Sequence, residues 1–119
     1  MAAVVWVYEP DLFSSSRIES AGKRVGLEVN TITNANELRE RLKDGLPNLM
    51  LVNLDLLDER DKSLAGLISA GSCRLIGYYS HVQAESAEKV LKRGFEVVIP
   101  RRAFVLKLSE IFSELGSGG

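Results

Sequence analysis

Seven side chains with chemical capacity fall just after short apolar runs: Glu9, Asp11, Asn53, Asp55, Ser80, His81 and Arg101. Carboxylates gathered at one end of a sheet could hold a hard divalent cation through their oxygens. Arg101-Arg102 could bind a phosphate, because guanidinium groups pair with such anions through two parallel hydrogen bonds. Without a glycine-rich loop to add backbone N–H groups, that pair is weak evidence for a nucleotide site. His81, the one histidine, lacks the Ser or Cys nucleophile that a catalytic base serves, and Ser80, its chain neighbour, points away on an extended chain. Asn53 is a poor nucleophile, being an uncharged amide where an ionised carboxylate would be needed for covalent chemistry.

The elements that must position these residues alternate along the whole chain, apolar run then amphipathic segment, the pattern of a parallel α/β sheet. Ala3–Tyr8 reads as a first strand, and Pro10-Asp11 opens a helix to about Val25 with Gly26 as its left-handed stop. Leu27–Ile32 is a second strand. Thr33 or Asn34 caps a second helix carrying Leu38, Leu42 and the more distal Leu46 on one side, and Gly45 ends it. Asn48–Leu54, the most apolar strand, belongs in the centre of the sheet.

A third helix is expected over Asp58–Ala70, a strand over Arg74–Tyr79, and a fourth helix over Val82–Arg93. Phe95–Ile99 makes the fifth strand, broken by Pro100, and Ala103–Leu115 the fifth helix. Five strands and five helices predict a flavodoxin-like three-layer sandwich of order 2-1-3-4-5, with functional residues at the strands' C-terminal ends. Residues 1–115 form one domain and the Gly/Ser-rich residues 116–119 a flexible tail.

Composition narrows the functions. The chain has 119 residues, 45% hydrophobic and 26% charged, with a net charge of −1. That suits a globular domain and gives no basic footprint for nucleic acid or an anionic membrane. A lone cysteine, Cys73, excludes an internal disulfide and a multi-thiolate metal site. No run is long enough to span a bilayer, and the cytoplasm is the expected compartment. Ser14-Ser15-Ser16 reads as a tolerated polar stretch in a helix. Trp6, Tyr78 and Tyr79 lie in strands and are expected to be buried.

Four segments carry a resemblance. PNLMLVNLDLLDE (47–59), Glu9-Pro10 after the first strand, LIGYYSHV (75–82) and RGFEVVIPRRAF (93–104) together resemble the response-regulator receiver family (CheY-like). The last resembles the family pattern G-A-D-D-Y-x-x-K-P-F. The resemblance covers essentially the full length and rests on order and spacing more than on any one segment. It implies an acidic pair after strand one, a phosphoacceptor aspartate, a metal-binding backbone carbonyl two residues on, a Thr or Ser ending strand four and a lysine ending strand five.

At those positions this chain has Tyr8-Glu9, Asn53, Asp55, Tyr79 or Ser80, and Arg101. The resemblance therefore implies a degenerate site, with no metal, cofactor or catalytic residue expected. Asp55 as a substitute acceptor is disfavoured because counting from Pro47 puts it in a loop. Arg101 is expected instead to bond the Asn53 amide, Glu9 or Asp55 and fix the loops without chemistry.

The expected function is a phosphorylation-independent pseudo-receiver that binds a protein partner or a second copy of itself. By resemblance the contact face comprises the fourth helix, fifth strand and fifth helix, with His81, Arg102, Phe104 and Val105 as candidate contacts. The alternative is a small-molecule or nucleotide-binding flavodoxin-like domain that uses the strand-end cleft, lined by Arg101, Asn53, Glu9 and His81.

Overall fold

Strand alternation decides what each face of this sheet carries. The computed structural model describes residues 3–56, 73–80 and 95–117. The strands are β1 Val4–Tyr8, β2 Glu28–Ile32, β3 Leu49–Asn53, β4 Arg74–Tyr79 and β5 Val97–Pro100, with a 3₁₀ turn over Leu54–Leu56. The helices are α1 Leu12–Arg24, α2 Ala35–Leu42 and α3 Arg101–Ser117. The helices expected over 58–70 and 82–93 lie outside the described residues, so three helices are described where five were expected.

All strand pairs are parallel and the order is β2-β1-β3-β4-β5, with the fully buried β3 in the centre. Val5 stands opposite Val29 and Leu49, Leu51 opposite Ile76, and Asn53 opposite Tyr78. Successive side chains point to opposite faces. One face accordingly carries Val5, Val7, Leu49, Leu51, Ile76 and Tyr78 beneath α1 (Ile18) and α3 (Phe104, Leu108, Phe112). The other carries Trp6, Tyr8, Met50, Val52 and Leu75 against Leu38 of α2.

Local signals place the helix ends. Asp11 caps α1, accepting from the Ser14 N–H at 3.3 Å, and Asn34 caps α2, accepting from the Glu37 N–H at 2.8 Å. Gly26, at φ +77°, makes the left-handed turn into β2. Gly22 lets α1 sit close on β2: a Cβ there would lie 2.3 Å from a Val29 methyl carbon.

Three boundaries differ from expectation. Leu46 lies beyond α2 and is exposed. Pro100 ends β5 in register with Tyr79 instead of breaking the ladder, which an edge strand tolerates because one side of its backbone needs no partner. The last helix begins at Arg101 and runs to Ser117, two residues into the expected tail. Among the described residues no helix is long and apolar enough to cross a membrane.

Candidate functional site

Three strand ends converge on one buried carboxylate. Continuing the alternation of Val5 and Val7, Glu9 turns toward the α1/α3 face, where its side chain is 1% exposed. Its backbone N–H donates to the Ile32 carbonyl at 3.1 Å, fixing the end of β1 against β2. The same parity along β3 and β4 brings Asn53 and Tyr78 to this face. The Asn53 amide Nδ2 donates to both Glu9 oxygens, at 3.2 and 3.1 Å, and the Tyr78 hydroxyl donates to Glu9 Oε1 at 3.0 Å. A buried carboxylate demands such donors, because an unpaired one is expensive to remove from water.

The far side of Asn53 is also engaged. Its Oδ1 accepts from the Asp55 N–H at 3.0 Å, so each end of the amide has a partner of the right polarity. The Asp55 carboxylate in turn accepts from the Ser80 N–H at 3.2 and 3.0 Å. This chain of bonds joins the ends of β1, β3 and β4.

Arg101 supplies the positive charge. From the first turn of α3 its Nη2 lies 3.8 Å from Glu9 Oε1 and 3.7 Å from Asp11 Oδ2, and it donates to the Ser14 hydroxyl. Ser14 itself donates to Asp11 at 2.7 Å. That bond, ahead of the weaker pull of Arg101, holds the Asp11 carboxyl below its ordinary range. Burial first and the Glu9 charge second push the Tyr78 phenol far above its ordinary range, so it stays a neutral donor. Tyr78 is held from the other side by Phe104, whose ring stacks on it at 4.2 Å and 11°.

The expected site residues separate into two groups. Glu9, Asn53, Asp55, Arg101 and the backbone of Ser80 come together. Tyr8 and Tyr79 do not. Both have the opposite strand parity and pack in the cluster on the α2 side. Spacing alone pointed to Tyr79 or Ser80 as the strand-four hydroxyl, but the hydroxyl that enters is that of Tyr78, one residue earlier. Parity with Ile76 excludes Tyr79, and Ser80, of the same parity, lies beyond the end of β4. Arg101 reaches Glu9, Asp11 and Ser14, all on the β1–α1 segment. Of the expected interaction residues, Arg102 and Val105 are exposed, and His81 lies outside the described residues. Phe104 is buried, and its place as an interaction candidate is corrected: its ring faces the sheet.

These residues do not fit the Mg²⁺ that the receiver resemblance implies. Mg²⁺ needs a near-octahedral shell of oxygens. Here Glu9 accepts from the Asn53 NH₂ group, the Tyr78 hydroxyl and the Asp11 N–H, and the Arg101 cation already stands beside it. Among the described residues no three His, Cys, Asp or Glu side chains cluster as a metal site would require.

No family model matches this chain, and no curated protein matches its sequence. Solved structures do match. A response regulator from Thermotoga maritima superposes with a TM-score of 0.79 at 17% identity, covering 98% of this chain and 99% of its own. A CheY-like receiver domain protein from Methanospirillum hungatei gives 0.76 at 17%, with 100% of both chains covered. NtrX from Brucella abortus gives 0.72 at 18%, covering 98% of this chain, which spans only 27% of NtrX. At such identities the likeness establishes the fold. It is the flavodoxin-like α/β fold found in response-regulator receiver domains.

Proposed function

We propose that this chain is a pseudo-receiver, a signalling domain that works by binding another protein without being phosphorylated. The observation that carries this reading is the pair of bonds from Asn53 Nδ2 to both Glu9 oxygens. In a working receiver a carboxylate at the end of β3 and a cation beside the first acidic residue act together on a phosphoryl group. Here an amide donor fills the first role and Arg101 the second, so the strand ends are tied without ligand or covalent change. The serine hydroxyl paired with a carboxylate here, Ser14 with Asp11, belongs to the cap of α1.

The receiver-like neighbours support a protein partner as the ligand class, and the net charge of −1 argues against direct nucleic-acid binding. The expected test is thermal. Addition of Mg²⁺, nucleotides or flavins should leave the melting temperature unchanged, because a ligand that binds only the native state raises it by mass action. Consistent stabilisation by any of them would refute the reading in favour of a small-molecule site.

A further inference from the structure

We draw no further inference here: the strongest candidate, the patch of exposed apolar side chains formed by Leu12 and Phe13 at the start of α1 with Val105 and Leu106 near the start of α3, carries none, because nothing in the structure shows what covers it.

Discussion

Asn53 donates its amide to both oxygens of Glu9, at 3.2 and 3.1 Å, across the ends of two neighbouring parallel strands. An aspartate in its place would set two carboxylates at that distance inside a buried site. Asn53→Asp should therefore cost about 3 kcal/mol at neutral pH, the scale of stranding a buried charged acceptor. Acidification should recover part of the loss, because one carboxyl of such a pair takes up a proton. Chemical denaturation of both proteins at pH 7 and pH 5 measures this, and an equally stable variant at pH 7 would contradict it.

Tyr78 gives an alkaline signature. Its phenol is raised by burial and by Glu9, so the unfolded chain loses that proton near the ordinary value of 10.0 while the folded chain keeps it. Stability is then fully present below pH 10 and falls as pH rises beyond it. Cys73, pushed up to about 11 by burial from an ordinary 9.0, adds its own slope from about pH 9. Tyr78→Phe retains Cys73 and should show a shallower alkaline decline than the parent, while losing about 1–3 kcal/mol at neutral pH from the missing bond to Glu9. Denaturant midpoints at pH 8, 9.5 and 10.5 check both effects.

Phe104 and Leu106 should behave oppositely although only one residue separates them. Phe104 is buried against Tyr78 and Leu106 is exposed. Phe104→Ala should cost about 3–5 kcal/mol through the cavity it leaves. Leu106→Ala should stay within about 0.5 kcal/mol of the parent. Similar losses in the two variants would place the helix face wrongly.

Arg101 joins the starts of α1 and α3, with its side chain 38% exposed. Solvent weakens such pairing, and Asn53 and Tyr78 still serve Glu9 without it. Arg101→Ala should therefore cost only about 1 kcal/mol. Thermal unfolding of the single variant and of its combination with Asn53→Ala should give a loss greater than the sum, since both side chains neutralise one carboxylate.

Much of this was legible in the sequence. Short apolar runs marked the five strands, the flavodoxin-like topology supplied their order, Asp11 and Gly26 marked the ends of α1, and the start of α2 was narrowed to Thr33 or Asn34, of which Asn34 is the cap. The convergence of Glu9, Asn53 and Asp55 followed from their shared place at strand ends. The identity of the hydroxyl donor was missed. Spacing selects Tyr79 or Ser80, whereas the pleat turns Tyr79 to the α2 side, and Ser80, though of the same parity as Tyr78, lies exposed past the end of β4. Phe104 was misplaced because three successive apolar residues do not say which one faces inward. Arg101 was read as a strand-end residue, yet it opens α3, which brings its guanidinium to the start of α1.

The central claim is that this site is closed by its own side chains and takes no phosphate. The most direct test is the intact mass of the chain after incubation with acetyl phosphate and Mg²⁺, beside a working receiver treated in the same way. The predicted result is an unchanged mass for this chain while the working receiver is modified. A gain of one phosphoryl group, on Asp55 or on any other carboxylate of the strand-end loops, would contradict it.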